Sequence, residues 1–511
     1  MKLMRYRLVT NAVAHYAGQF TIVAVGILLT PIIIAHLGVE MYGVWVLVVS
    51  IQGLGGLFDL GMSTSIVKYV AEHHARGEED QINRVVSSSF ILHLGIGVLT
   101  MLVTLLGAWL GLPLLNLDPG QLEVARVALV IAGATLAVGL PLGVTGSLLL
   151  GLRHYGISNG VNIVQTLISA GAILLVLRAG GGPVALVAIN GVGLTASHIA
   201  KWFFAARVMP TLRVSPRLGN MDTLKRIGSY SVWLFLLDTA KRIFYNADAV
   251  LIAAFLPVAQ VTAYNLGFKP ASAISYLSGP MVSVFMPAAS QMDARRRTAD
   301  LHRLLTAGTR VALALTLVGA LWLLVFGRQI MEVWVGPGHE NALPVMYLFL
   351  GVFLVNAAQN PAGAILRGIG QVRTFSISVL LEYAANIGLS LLLIPRVGVA
   401  GAALGTLIPA VLNDLLVIPW LACRALGLDY RTFLLGGVIG PVGAAVPALL
   451  LLWPVSMWLP GATLLTIGAG GAATVLLYGA FYLLLGAGKE ERVALRNALD
   501  VALRRERPQT M

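Results

Sequence analysis

Residues 12–35 read AVAHYAGQFTIVAVGILLTPIIIA, a run without a single Asp, Glu, Lys or Arg. A bilayer core of roughly 30 Å is crossed by about 20 apolar helical residues, so this run is long enough to span. Lys2, Arg5 and Arg7 precede it, which is the flank of a secretory leader. The apolar part is too long for a leader's core and shows no small-residue cleavage site, so it reads as a first span. Outward from it, thirteen more runs of the same kind lie near 41–67, 86–110, 125–150, 158–177, 183–206, 228–255, 261–286, 305–327, 342–366, 374–394, 398–422, 433–457 and 463–485. Breaks at Gly180–Pro183 and Pro395–Gly398 separate runs that would otherwise be twice the bilayer thickness. The expected fold is an all-α integral membrane protein of about 14 transmembrane helices.

Composition agrees. Of 511 residues 58% are hydrophobic and 11% charged, less than half the charge of a soluble domain. A soluble enzyme and a disordered chain are both excluded. Cys423 is alone, so neither a disulfide within the chain nor a zinc site follows. The net charge of +13 resolves once the N-terminus is placed in the cytoplasm. Inside segments then carry 28 Lys and Arg, whereas the outside loops carry only Arg126, Arg178, Arg328 and Arg396. That asymmetry predicts both termini inside, with the cations forming a rim at the anionic leaflet rather than a nucleic-acid footprint. The longest connections (68–84, 207–227, 287–304, 328–341) leave no room for a catalytic domain. From Lys489 a charged tail follows, in which Leu495, Leu499 and Leu503 recur every four residues; it reads as an interfacial helix or a solvated tail.

The chain also repeats itself. A shift of 219 lays IAHLGVEMYGVWVL (34–47) on AFLPVAQVTAYNLGF (254–268), and VAEHHARGEEDQINRVV (70–86) on AASQMDARRRTADLHRLL (288–305). A shift of 217 lays GSLLLGLRHYGIS (146–158) on GAILRGIGQVRTF (363–375). Spans 1–6 thus correspond to spans 7–12. An even number of crossings per half makes the halves parallel repeats, the architecture of an alternating-access transporter. The domain division expected is 1–219 and 220–424 for the two six-helix lobes, 425–488 for helices 13 and 14, and 489–511 for a cytoplasmic tail.

Ionisable groups at membrane depth are costly and each is a functional hypothesis. Span 7, SYSVWLFLLDTAKRIFYNADAVLI (229–252), holds Asp238, Lys241, Arg242, Asn246 and Asp248. Asp238 lies three residues before Lys241 and four before Arg242, spacings at which helical side chains meet. Lys269 lies in span 8. Three cations near a cavity suit an anionic, phosphate-bearing substrate; the alternative is a self-neutralised Asp238–Lys241–Arg242 cluster that fixes packing. Glu382 in span 11 and Asp414 in span 12 are candidates, with Asp238 and Asp248, for carrying a coupling proton or sodium ion. Asn162 and other scattered polar groups can line a wet cavity or bond between helices. No P-loop, nucleophile elbow or metal-ligand spacing occurs, so no catalytic residue, metal or other cofactor is expected.

The stretches PIIIAHLGVEMYGVWVL (31–47), GLFDLGMSTSIVKYVAE (56–72), RGEEDQINRVV (76–86) and LLLGLRHYGISNGVNI (148–163) resemble the polysaccharide transporter family. These are the Wzx-type oligosaccharide flippases of the multidrug/oligosaccharidyl-lipid/polysaccharide exporter superfamily. The resemblance implies a protein of the bacterial inner membrane that moves an undecaprenyl-pyrophosphate-linked oligosaccharide from the inner to the outer leaflet. Its partners would be that substrate, membrane lipids and other polysaccharide assembly proteins. It also implies cavity cations for the pyrophosphate, for which depth makes Lys241, Arg242 and Lys269 the candidates. Two rivals remain: a cation-coupled multidrug exporter of the same superfamily, whose acidic residue deep in span 1 is missing here, and a membrane glycan polymerase or ligase.

Overall fold

Hydrocarbon offers no hydrogen-bond partner, so each crossing segment has to close its own backbone bonds. The computed structural model is 90% helical and contains no strand among its described residues, which are 2–59, 61–220, 232–458, 461–488 and 491–492. The side chains of 2–17, 232–235, 237, 238, 280, 282 and 283 lie outside that description, as does most of the expected tail.

Among the described residues eleven helices are long and apolar enough to cross a membrane. The first of them, Gly18–Asp59, is interrupted at Gly38, whose φ of 77° and ψ of 168° are not helical; spans 1 and 2 divide there. Span 7 is the helix Val232–Phe255, kept out of an apolar tally by its own charges. Span 8 is broken at Ile274 into Ala259–Ala273 and Ser275–Ala294. With these the expected fourteen are all present, and the fold class stands as read. The boundaries shift most in span 2. There the helix gives way to a tight turn at Gly55–Asp59 and restarts as Met62–Arg76 after Gly61 at φ 70°. Asp59 explains the restart: its carboxylate accepts from Ser63 Oγ (2.7 Å) and from the Ser63 N–H (3.4 Å).

The contacts divide the chain into two compact units, 1–265 with 383–405, and 266–382 with 406–511. The first is built around Ile66, Val70, Val86, Leu148 and Leu149, from the helices Met62–Arg76, Glu79–Leu106 and Pro119–Gly151. In the second, Phe326 and Leu321 of span 9 (Thr298–Val335) pack against Ala448 and Leu452 of span 13 and Tyr478 of span 14. One ion pair ties the same three helices together. Arg310 donates from Nε to Glu491 Oε1 (2.7 Å) and from Nη1 to the Gly436 carbonyl (3.0 Å), while Tyr482 Oη donates to Glu491 Oε2 (2.8 Å). The start of the tail is therefore an anchor for helices 13 and 14.

The repeat is written in the turns. After Arg76, Gly77 sits at φ 71°; its N–H donates to the His74 carbonyl (3.2 Å) and that of Glu78 to the His73 carbonyl (3.0 Å). At a shift of 219 the same turn recurs, with Arg296 at φ 53° donating to Asp293 (2.8 Å) and Arg297 to Met292 (2.9 Å). At a shift of 217, Arg153 at φ 64° donates to Leu150 (3.0 Å) and His154 to Leu149 (2.8 Å). Their counterparts are Gly370 at φ 85°, donating to Arg367 (3.3 Å), and Gln371, donating to Leu366 (2.8 Å). All four are left-handed helix caps, the conformation that glycine adopts without penalty. In each pair one half has glycine and the other arginine.

A left-handed residue with a Cβ costs roughly 1–2 kcal/mol. Arg153→Gly and Arg296→Gly are each expected to gain about 1 kcal/mol, seen as a raised midpoint of thermal unfolding in detergent. A lowered midpoint would show that contacts of the arginine side chain outweigh the backbone strain.

Candidate functional site

In the first unit, span 7 meets the end of span 2 where the latter has no side chains. A Cβ built on Gly53 would lie 2.2 Å from Asn246 Oδ1, and one on Gly56 2.1 Å from Arg242 Nη1. The two glycines, one helical turn apart, form the recess in which Arg242 and Asn246 sit, and Asn246 Nδ2 donates to the Arg242 carbonyl (2.8 Å). Lys241 is exposed, whereas Arg242 and Asn246 are half-buried. Asp248 is buried and accepts from Tyr264 Oη at 2.7 Å. The Asp238 side chain lies outside the described residues, so its expected pairing does too. Lys269 is half-buried on the helix Ala259–Ala273 and belongs to the second unit.

Asn162 has a partner that was not expected. Its Oδ1 accepts from Lys201 Nζ at 2.7 Å. Lys201 lies within span 6 as read from the sequence (183–206), where it counts only among the inside cations; the helix runs to Val208 and leaves Lys201 only 7% exposed. His198, three residues earlier, lies on a neighbouring face of the same helix, near Gly139 and Gly143 of span 4. The visible signal was polar residues at helical spacing, Asn190, Ser197 and Lys201, within one apolar run.

The second unit brings Glu382 and Asp414 together. Asn413 Nδ2 donates to Glu382 Oε2 (2.7 Å), Ser378 Oγ donates to Asn413 Oδ1, and Asn356 Nδ2 donates to Asp414 Oδ2. Asn413 thus ties Glu382 to the helix turn that carries Asp414. Glu382 is 7% and Asp414 4% exposed. Asn413 and Asp414 lie on a π-helical segment, Val411–Val417, a widened turn that recurs at functional positions. Span 11 presents Ser378, Glu382, Asn386 and Ser390 at intervals of four, all of them buried. That stripe was legible in the sequence as one polar face; its junction with span 12 was not. Among the described residues no group of three metal-ligating side chains occurs.

A family model described as "Polysaccharide biosynthesis protein" matches residues 8–293, more than half of the chain. The chain belongs to that family. The match runs through the first repeat and into the second, and so includes Asn162, Lys201, Lys241, Arg242 and Lys269. Over 485 residues the chain is 21% identical to the "Uncharacterized membrane protein EpsK" of Bacillus subtilis, covering 94% of this chain and 96% of that one. It is also 21% identical over 388 residues to the "Probable low-salt glycan biosynthesis flippase Agl15" of Haloferax volcanii, covering 75% and 76%. The fold is similar to that of the lipid II flippase MurJ in an inward closed conformation, with a TM-score of 0.72 at 11% identity over 93% of this chain and 98% of that one. An inward-facing multidrug resistance MATE transporter superposes with a TM-score of 0.62 at 13% identity, covering 80% of this chain and 94% of its own.

Asn413→Ala removes the amide that joins Ser378 to Glu382 and leaves both without that partner. A loss of about 1–3 kcal/mol is expected, read from thermal unfolding in detergent; no change would mean that water or a neighbour replaces the amide at no cost. Gly56→Leu fills the recess that Arg242 occupies and is expected to cost about 1–3 kcal/mol, read as a lowered midpoint of thermal unfolding in detergent. An unchanged midpoint would show that the recess does not hold the Arg242 side chain.

Proposed function

We propose that the protein is a flippase that carries an undecaprenyl-pyrophosphate-linked oligosaccharide from the cytoplasmic to the outer leaflet. The observation that carries this reading is the extent of the fold match. The lipid II flippase accounts for 93% of the chain, whereas the multidrug transporter, matched over nearly its whole length, leaves a fifth of it uncovered. The family and the name of the Haloferax volcanii relative point to the same class of cargo. The parallel repeat supports alternating access between lobes 1–219 and 220–424, and the Lys and Arg distribution supports both termini in the cytoplasm.

In this reading Lys241, Arg242 and Lys269 meet the pyrophosphate, with Asn246 as the hydrogen-bonding neighbour of Arg242; Asn162, bonded to Lys201, is a separate polar contact for the substrate. Arg242 is suited by its planar fork of donors, which matches phosphate oxygens two at a time. Glu382 and Asp414 form the element that responds to an ion gradient: a buried pair of carboxyls changes its packing when a proton is gained or lost or a cation binds. Asp238 and Asp248 are the acids of the same kind in span 7. No step calls for a catalytic residue or a bound metal.

Export is tested by complementation in a strain lacking its own flippase. Lys241→Ala with Arg242→Ala is expected to lower surface glycan at least about tenfold, the worth of one lost charge-assisted contact; full export by the double variant would remove these residues from the pyrophosphate. Collapsing the proton and sodium gradients together is expected to stop export by the wild type. Undiminished export without either gradient would take the coupling role away from Glu382 and Asp414.

A further inference from the structure

A groove of about 550 Å³ runs between span 5 (Tyr155–Arg178) and span 6 (Pro183–Val208), both in the first unit. Its span 5 wall extends from Gly156 to Ile168, about 18 Å at 1.5 Å per residue. That is close to the depth of one leaflet, half of a core of roughly 30 Å. The walls are almost wholly apolar, and the side chains at its rim are open: Val164 is 56% and Ile168 66% exposed. In a membrane such a surface meets hydrocarbon rather than water. Gly156 and Gly160 on one side and Ala196 and Ala200 on the other keep the recess wide along its length. A Cβ added at Gly156 or Gly160 would meet nothing within 4 Å, so glycine there leaves space rather than allowing helices to touch.

The polar side of this region lacks an anion. Lys201 is 7% exposed and donates to a neutral amide, Asn162; among the described residues no carboxylate lies within ion-pair distance of it. Ser197, which lines the groove, is 3% exposed, and its Oγ has no hydrogen-bond partner. Lys201 follows Ser197 by one helical turn and lies behind the lining rather than on it. An ammonium group taken out of water without a counter-charge is costly, and the unfilled hydroxyl one turn away adds to that cost. An anionic oxygen cluster at Ser197 would satisfy the hydroxyl and bring a counter-charge to the ammonium. The Lys201 ammonium has two donors left after Asn162, and phosphate oxygens accept from several donors together.

We propose that the groove between spans 5 and 6 seats the polyprenyl chain of the lipid-linked substrate, with Lys201 and Ser197 meeting its phosphate. This rests on the flippase reading above and adds a second contact point, on the membrane-facing side of the first unit. Chain and charge are recognised by one helix pair: the hydrocarbon by the recess, the phosphate by the buried cation behind it.

The test uses the full-length protein in phosphatidylcholine vesicles containing either undecaprenyl phosphate or phosphatidylglycerol, each bearing a diazirine on the chain. After illumination, undecaprenyl phosphate is expected to label the segment 156–168 at least fivefold more than phosphatidylglycerol does. Gly160→Phe fills the recess without a backbone clash and is expected to cut that labelling at least fivefold, as is Lys201→Met. Leu175→Phe, an exposed position on span 5 outside the groove, serves as the matched control and keeps the labelling. Size-exclusion and thermal unfolding profiles establish that each variant is folded. Equal labelling by the two lipids would make the groove a seat for ordinary bilayer lipid and overturn the proposal. Undiminished labelling in folded Gly160→Phe would place the chain elsewhere, and undiminished labelling in folded Lys201→Met would remove the phosphate contact. Transport of the lipid-linked glycan by the wild type in the same vesicles separates the two readings. Transport without labelling at 156–168 sinks the groove alone, whereas labelling without transport sinks the flippase reading.

Discussion

Every polar group in this protein is placed under the constraint that hydrocarbon supplies neither a donor nor an acceptor. Backbone groups answer it by forming helices, and the breaks between helices are closed by their own caps. Side chains answer it by finding partners inside the protein. Glu382 and Asp414 take amides from Asn413 and Asn356, Asp248 takes the hydroxyl of Tyr264, and Arg242 takes the space that Gly53 and Gly56 leave. Lys201, among the described residues, is a buried cation whose hydrogen-bond partner is a neutral amide, Asn162.

The internal repeat shows how the same constraint shapes connections. Sequence identity between the halves is faint, yet the caps at Gly77 and Arg296, and at Arg153 and Gly370, share both their left-handed φ and their pairs of hydrogen bonds. Orphan carbonyls at a helix end need those bonds whatever the side chain is. Arginine at two of the four positions accepts backbone strain while keeping a cation in the loop. Helices 13 and 14 stand outside the repeat and are held differently, through the half-buried Arg310–Glu491 pair and Tyr482.

Charge occurs at membrane depth in both units. The first holds Lys201, Lys241, Arg242 and Asp248; the second holds Lys269 and the neighbouring carboxyls Glu382 and Asp414. Each of these groups is costly in hydrocarbon unless the protein or a ligand answers it.

The sequence by itself determined the number of crossings, the repeat and the family. Those are properties of local composition and spacing: an apolar run of sufficient length crosses wherever it lies, and a shift of 219 or 217 can be read by eye. It also marked Glu382, Asp414, Arg242 and Asn246 as expensive residues. Tertiary structure decided what each of them meets. Glu382 and Asp414 are 32 positions apart, and only the packing of span 11 against the widened turn of span 12 makes them one site. Lys201 counted among the rim cations although span 6 contains it, because burial by a neighbouring helix leaves no mark on local hydropathy. The recess for Arg242 is likewise invisible from span 7, since it is made by glycines of span 2. Contacts between distant segments set the chemistry of each site, and periodicity within one segment cannot report them.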